Sequence, residues 1–298
     1  ASDVYKRQVI AGGTGFIGEY LTNKMIEMGY EVLIISRQSN HIQWHQNFKI
    51  IEALENSDLL INLAGKSVDC RYTSENKALI LASRIDTTKL LCEAILNSLN
   101  PPKLFINSGT ATIYRHAEDR PMTEEKGELG IGFSVDVAQQ WENTFLSYQF
   151  SKTRQVVLRI AIVLGKGRGA LQPLSQLVKL GFGGSQGSGK QMFSWIHMED
   201  LLKIILFLLK TKSTEGVYNC SSPHPVSNQQ LMQTLRNVLN RKFGIPLPKW
   251  TLEIGARIIK TETELILKSR WVLPERLLQL GFEFKYPSLE MALRSIYG

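Results

Sequence analysis

The sequence predicts an α/β fold, a doubly wound parallel sheet followed by a smaller C-terminal lobe. Three observations carry that prediction. Apolar runs alternate with amphipathic stretches along the first 165 residues. Several of those runs are continuous, as expected of strands covered on both faces of a parallel sheet. The chain also opens with strand, glycine-rich turn, helix and strand within about 30 residues, the context in which clustered glycines mean dinucleotide binding.

The first strand is predicted over 7–12, around Val9, Ile10 and Ala11. AGGTGFIGEYL (11–21) then places Gly12, Gly13, Gly15 and Gly18 in one turn. Glycine weakens a helix or strand interior by roughly 0.5–1 kcal/mol relative to alanine, so four together point to a geometry, or an approach distance, that a side chain would block. Phe16, Ile17, Leu21, Met25 and Ile26 give the helix 15–28 its apolar face, and a second strand, 31–36, follows Gly29. Further strands are predicted at 48–52, 58–64, 103–108 and 155–164, with helices at 74–98 and 134–149. After Gly165 the texture changes: a helix at 170–180, the glycine-rich GFGGSQGSGK (181–190), WIHMEDLLKIILFLLK (195–210), a strand near 216–220, and helical segments to the end. Residues 1–165 are therefore expected to form the dinucleotide-binding domain, rejoined by part of 195–222, with 166–298 forming a lobe over the cleft. Ligands of such a sheet bind at the carboxyl ends of its strands.

Composition narrows the function classes. With 43% hydrophobic and 21% charged residues the chain reads as a soluble globular protein. The most apolar stretch, Leu201 to Leu209, contains Lys203 and falls far short of the roughly 18 residues of a membrane span. ASDVYKRQ at the start shows no signal-peptide pattern and no initiator Met, so a missing or altered N-terminus is expected. Cys70, Cys92 and Cys220 have no CxxC spacing, which suggests reduced thiols and a cytoplasmic location. The net charge of +8 lies wholly after residue 100, since residues 1–100 carry ten basic and eleven acidic side chains. Between Glu142 and Glu199 there are seven basic residues and no acid. No basic cluster interleaved with aromatics accompanies them, so a nucleic-acid partner is not expected. A field for a phosphorylated cofactor or an anionic small-molecule substrate, or a merely basic solvated surface, accounts for the excess. Oligomeric state is not legible.

Further blocks extend the glycine turn: INLAGKSV (61–68), SRIDTTKLL (83–91), LRIAIVLGKGRGAL (158–171), GGSQGSGKQMFSWIHMEDL (183–201) and LPERLLQLGFEFKYPSLEMAL (273–293). Together with it they resemble the epimerase-like atypical branch of the extended short-chain dehydrogenase/reductases. Members carry an extra C-terminal segment, and some are labelled cell-division inhibitors. The resemblance implies a Rossmann-type fold and bound NADP(H). It places the pyrophosphate on the turn Gly12, Gly13, Thr14, Gly15, Phe16, Ile17 and Gly18, at a helix N-terminus that favours an anion. It sets Ser36 and Arg37 beside the adenosine ribose, and Leu63, Ala64 and Gly65 under the cofactor. Arg84 and Val163 match positions near the cofactor, with a solvated helix arginine as the alternative for Arg84.

Hydride-transferring members of the wider superfamily use a Ser or Thr hydroxyl, a Tyr, and a Lys four residues later. SGTATIY (108–114) resembles the superfamily's SSSATVYG and puts Thr110 at the hydroxyl position, while Arg115 and His116 depart from the expected glycine. Two YxxxK strings exist. Tyr20/Lys24 lies on the helix after the glycine turn, the wrong element. Tyr148/Lys152 falls about 14 residues, or roughly 20 Å, beyond the start of its helix, at the edge away from the ligand. Aligning Trp141-Glu142 with the family's matching pair puts Ser134 and Ala138 where Tyr and Lys would stand, so the standard mechanism is expected to be absent. Tyr114 near the cleft mouth is a candidate proton donor, or a packing tyrosine. GSQGSGK (184–190) lacks the Ser/Thr that a phosphate loop requires after its Lys. His41 and His45 have metal-pair spacing without a third ligand, so no metal is expected. In WIHMED, Asp200 reads as a helix N-cap and His197 as a structural histidine. Two functions remain: an NADP(H)-dependent oxidoreductase or epimerase-like enzyme of unknown substrate, and a non-catalytic NADP(H)-binding or sensing protein.

Overall fold

A computed structural model describes residues 6–258 and 264–298 of the chain. β1 (Arg7–Ala11) leads through the glycine turn into α1 (Phe16–Glu27), and β2 (Glu31–Ser36) returns parallel to β1. A short β3 (Ile42–Gln43) precedes α2 (Asn47–Leu54), β4 (Leu59–Asn62) and the long α3 (Ser74–Leu96). β5 (Leu104–Thr110) ends in a 3-10 turn (Ala111–Ile113), followed by α4 (Phe133–Leu146) and β6 (Arg154–Ile160). With β10 (Gly216–Cys220) these strands form one seven-stranded parallel sheet in the order β10-β6-β5-β4-β1-β2-β3.

Alternation along each buried strand builds a core on both faces. Ile10, Ile61, Ile106 and Leu158 face one way and pack with Leu21 and Met25 of α1. Val9, Leu60, Phe105 and Val157 face the other way, against Ile50 and Leu54 of α2, Leu91 of α3 and Phe145 of α4.

The run predicted as a strand at 48–52 is α2 instead. Ile50, Ala53 and Leu54 are its buried positions, an i, i+3, i+4 set that seats one helical face on the sheet. The run predicted as one strand at 155–164 breaks after Ile160. Ala161 N–H still bonds Cys220 O at 3.0 Å, but Ile162 N–H turns to Ser194 O at 3.2 Å. β7 (Ile162–Leu164) thereby leaves the main sheet and pairs with β9 (Trp195–His197) beyond it.

The remaining elements are α5 (Leu171–Lys179), β8 (Met192–Phe193), α6 (Met198–Lys210), β11 (Val226–Ser227), α7 (Asn228–Val238), α8 (Lys249–Ile258), α9 (Glu264–Leu267), α10 (Glu275–Gln279) and α11 (Leu289–Tyr297). Leu171, Val178, Trp195, Leu231, Leu235 and Leu293 form a separate core for this part of the chain. α6 is apolar because it lies in the main core, where Leu201, Ile204, Ile205 and Leu208 pack with α1; among the described residues no helix is long and apolar enough to cross a membrane.

One expectation for WIHMED changes, that Asp200 caps the helix, while His197 is the buried structural histidine expected. The N-cap of α6 is His197, whose Nδ1 accepts the Glu199 N–H at 3.1 Å while Nε2 meets Ser295 Oγ at 3.0 Å. Burial lowers its pKa below the ordinary histidine value. Asp200 is buried and accepts the N–H groups of Lys285 and Tyr286 at 2.7 and 2.9 Å, so it pins the C-terminal segment rather than capping the helix. The loop 184–190 is likewise structural. Gly184 and Gly187 donate their N–H groups to Ile245 O and Leu247 O, which uses up amides that a phosphate loop would need free.

Candidate functional site

The carboxyl ends of β1, β2, β4 and β5 share one edge of the sheet because the strands are parallel. There Gly12, Gly18 and Gly15 each have their own reason. Gly12 sits at φ +78, and a β-carbon on it would fall 2.7 Å from Ala64 N. A β-carbon on Gly18 would fall 2.5 Å from Gly13 Cα, so this glycine lets α1 approach β1. Gly15 is different. Its φ is −86, and the only atom within 4 Å of an added β-carbon is Gly12 O, at 4.0 Å. The space above Gly15 is open, and α1 begins there with no side-chain cap. The uncapped N–H groups of the first turn, with the helix dipole behind them, form a cradle for an anionic group. Phe16 closes one side: β-carbons on Gly165 and Gly169 would fall 2.7 and 2.9 Å from its ring.

At the end of β2, Ser36 Oγ accepts the Gln38 N–H at 3.0 Å and pairs with His41 Nδ1 at 2.9 Å, which shapes the turn. Arg37 stands exposed beside it. Its carbonyl accepts from Gln43 Nε2, while its guanidinium has no hydrogen-bond or ion-pair partner among the described residues. After β4, Leu63, Ala64 and Gly65 run beneath the turn, and Leu63 N–H bonds Ala11 O at 2.8 Å. Asn62 holds this bend, accepting the Ala64 N–H and donating to Asn107 Oδ1 and Thr88 Oγ1. Val163 lies on β7, opposite Ile196 of β9, and packs on the α1 side of the sheet.

A cavity of ≈ 110 Å³ opens beside the end of β5. Arg84 and Thr110 line it together with Ser134 and Ala138, the two positions that the resemblance aligns with the Tyr and Lys. Arg84 is not a solvated helix arginine. Its Nη1 donates to Lys66 O at 3.0 Å, its guanidinium lies 5.1 Å from the Trp141 ring centre, and burial pushes its pKa down to about 10. Thr110 Oγ1 accepts the Thr112 N–H at 3.1 Å. Its own proton has no acceptor among the described residues and is available to a ligand oxygen in the cavity.

Tyr114 does not line this cavity. It is 2% exposed, donating its O–H to Asn219 Oδ1 at 2.8 Å and accepting from Arg159 Nη1 at 2.8 Å. Burial raises its pKa despite the Arg159 charge. Both hydroxyl interactions point into the protein, which is the geometry of a packing tyrosine. The structure brings in other residues that no motif announced. Tyr72, from the β4–α3 loop, lines the cavity and meets Ser134 Oγ at 3.3 Å. Ser134 in turn donates to Glu264 Oε2 at 3.0 Å. Lys268 Nζ and Arg270 Nε donate to the carbonyl and hydroxyl oxygens of Thr112 at 2.7 and 3.0 Å, which anchors the C-terminal segment on the turn after β5. Burial, with Arg270 nearby, pushes the Lys268 pKa down to about 8.

Tyr148 and Lys152 follow the end of α4. Lys152 Nζ donates to Leu99 O at 2.9 Å, in the turn that precedes β5, and the Tyr148 ring stacks on Phe150. Both therefore sit at the opposite edge of the sheet from the glycine turn. Tyr148→Phe and Lys152→Ala are expected to leave NADPH affinity within about twofold of wild type; a tenfold loss in either folded variant, read by fluorescence titration, would contradict this placement.

Comparison with known proteins now decides the family. The description "NAD dependent epimerase/dehydratase family" matches residues 8–221. The chain belongs to this NAD(P)-binding family. A second match, "Domain of unknown function (DUF1731)", covers residues 247–296 and thus the segment that carries Glu264, Lys268 and Arg270. An epimerase family protein of Staphylococcus aureus (strain N315) is 31% identical over 98% of this chain and 99% of its own. Among solved structures, the human epimerase family protein SDR39U1 (isoform 2) with NADPH superposes with a TM-score of 0.88, at 31% identity, over 98% of this chain and 99% of that one. A nucleoside-diphosphate sugar epimerase from Corynebacterium glutamicum gives 0.78 at 26% identity, over 99% of this chain and 58% of that one. The family member described here has its glycine turn between β1 and α1, Thr110 at the end of β5, and Ser134 and Ala138 near the start of α4.

Proposed function

We propose that this epimerase family member is an NADP(H)-dependent oxidoreductase or epimerase-like enzyme acting on a small molecule, without the Tyr-x3-Lys pair. The observation that carries the reading is the open space above Gly15 at an uncapped helix N-terminus, with the unpaired Arg37 at the end of the neighbouring strand. In this fold an acidic side chain at the end of β2 accepts from the ribose 2′-hydroxyl and selects NAD. Here that place holds Ser36 and Arg37, and Arg37 offers a permanent positive charge with a donor fork suited to a 2′-phosphate. The NADPH of the human structural neighbour supports the same choice. When bound, the cofactor supplies or removes a hydride equivalent. Thr110 donates to a substrate oxygen, and Arg84 gives the cavity a positive wall suited to an anionic substrate. The free thiols Cys70, Cys92 and Cys220 fit a reducing, cytoplasmic compartment.

A charge-assisted hydrogen bond contributes roughly 1.5–3 kcal/mol, or about ten- to 150-fold in affinity. NADPH should accordingly bind at least about tenfold tighter than NADH, with the gap narrowing as salt rises. Arg37→Asp should reverse the order. Equal binding of the two cofactors to the wild type would remove the selection from Arg37. A second reading, a cofactor carrier or sensor, draws on Ser134 and Ala138, neither of which replaces the missing pair's chemistry, and on the apolar lining of Val68, Phe133, Val137 and Trp141. It requires that no side chain in the cavity can move a proton.

A further inference from the structure

We propose that Tyr72 is the proton-transferring residue of this cavity, coupled through Ser134 Oγ to the carboxylate of Glu264. This rests on reading the cleft as a nicotinamide site. The resemblance aligns Ser134 with the superfamily's tyrosine, and the Tyr72 hydroxyl reaches that serine, at 3.3 Å, from the loop ahead of α3. The phenol thus arrives at the same place from a different element. Its ring is set edge-on against Phe133, with centres 4.9 Å apart. Thr110 lines the same cavity.

The direction of the chain of hydrogen bonds defines the step. Ser134 donates to Glu264 Oε2 at 3.0 Å, so its oxygen is left to accept from Tyr72. When a substrate hydroxyl is oxidised, its O–H bond breaks and its proton forms a new O–H bond on Tyr72. The Tyr72 proton passes to Ser134 Oγ, and the Ser134 proton passes to the Glu264 carboxylate. One proton leaves the substrate and one arrives on Glu264, while the carbinol C–H bond breaks and its hydride, with both electrons, would pass to an oxidised nicotinamide as the C=O forms. Reduction of a carbonyl runs the same relay backwards. Glu264 is partly exposed, with 34% of its side chain accessible, so it can exchange the proton with water. Ser134 and Glu264 are positioning residues: they act through Tyr72.

Charges around the phenol suit an oxygen that becomes transiently anionic. Arg84 on α3 and Arg270 on the C-terminal segment both interact electrostatically with Tyr72, and Lys268 flanks Arg270. Lys77 lies 5.2 Å from the Phe133 ring centre on the outer side. Glu264 accepts from Ser134 through Oε2, and its Oε1 lies 3.9 Å from Lys268 Nζ.

The test uses the full chain, isotope-labelled at the tyrosine ζ carbon and titrated by NMR, with NADPH affinity measured in parallel by fluorescence. The Tyr72 signal is assigned by its loss in Tyr72→Phe, and the Tyr114 signal by Tyr114→Phe. Tyr72 is expected to ionise at lower pH than Tyr114 and Tyr20; burial raises the pKa of both, that of Tyr20 to about 12. Glu264→Gln removes a nearby negative charge and should move the Tyr72 midpoint down, while Arg84→Met should move it up, each by a factor of three or more in the ionisation constant. Tyr72→Phe should bind NADPH within twofold of wild type. Tyr72 titrating with Tyr114, or a midpoint indifferent to both substitutions, would overturn the proposal. Wild type that does not bind NADPH would instead overturn the cofactor reading on which it rests, so the two failures are distinguishable. Should Tyr72→Phe fold poorly, Tyr72→His supplies the same assignment.

Discussion

Gly15→Val is expected to give a folded protein that has lost nicotinamide-dinucleotide binding. The reason it folds is local. Gly15 has φ −86 and ψ 178, an extended conformation that valine adopts readily, and a β-carbon there meets no protein atom closer than 4.0 Å. The reason it loses the ligand is that the vacant direction is the approach path to the N–H groups at the start of α1, and a branched side chain fills it. The loss should exceed about 100-fold in Kd, since the pyrophosphate makes charge-assisted bonds of roughly 1.5–3 kcal/mol each to those groups. Fluorescence titration with NADPH measures the loss, and thermal unfolding within a few degrees of wild type shows that the fold survives. Gly12→Val and Gly18→Val should behave differently, because their β-carbons would fall 2.7 and 2.5 Å from backbone atoms. Wild-type affinity in Gly15→Val would take the dinucleotide out of this turn.

Glu142→Ala has the largest expected effect on stability. Glu142 and Arg159 form a two-pronged ion pair at 2.8 and 2.7 Å between α4 and β6, with side chains 7% and 11% exposed. Arg159 also donates to the Tyr114 hydroxyl and lies 5.0 Å from its ring centre. From Tyr114 the network runs to Asn219 on β10, and from Asn219 to Glu124 Oε1 and Leu273 O. Removing one partner of a buried pair leaves an uncompensated charge and costs about 3–5 kcal/mol. Urea unfolding should show this loss for Glu142→Ala. Glu142→Met with Arg159→Met removes both charges and should recover much of it. A loss below about 1 kcal/mol in Glu142→Ala would show that Arg159 finds another counter-charge or water.

Parts of this site could be read from the chain without its fold. The glycine turn is legible because its physics is local: backbone conformation, helix approach and ligand access all act within seven consecutive residues, 12–18. Arg37 and Thr110 are legible for a related reason. In a parallel sheet the end of each strand and the residue after it lie at the ligand edge, so finding a strand's end finds a candidate site position. The rejection of Tyr148/Lys152 needed only the direction of one helix. Where periodicity was short it misled. Ile50 and Ile51 are two adjacent apolar residues in a five-residue run, which cannot distinguish a buried strand from one turn of helix; the burial of Ala53 and Leu54 against the sheet settles it. Asp200 resembles a cap by its place before an apolar run, yet His197 stands one turn earlier with the nitrogen that reaches the free N–H.

The sequence by itself determined the alternation of strands and helices, the glycine turn and the absence of a Tyr-x3-Lys pair near the start of α4, since each depends on residues close together in the chain. Only the tertiary structure decided what surrounds Ser134 and what becomes of Tyr114. Ser134 meets Glu264 across 130 residues and Tyr72 across 62, and Tyr114 meets Asn219 across 105. No local pattern encodes such pairs. They exist because β5, the loop before α3 and the C-terminal segment converge at one edge of the sheet, and that convergence is a property of packing over the whole chain.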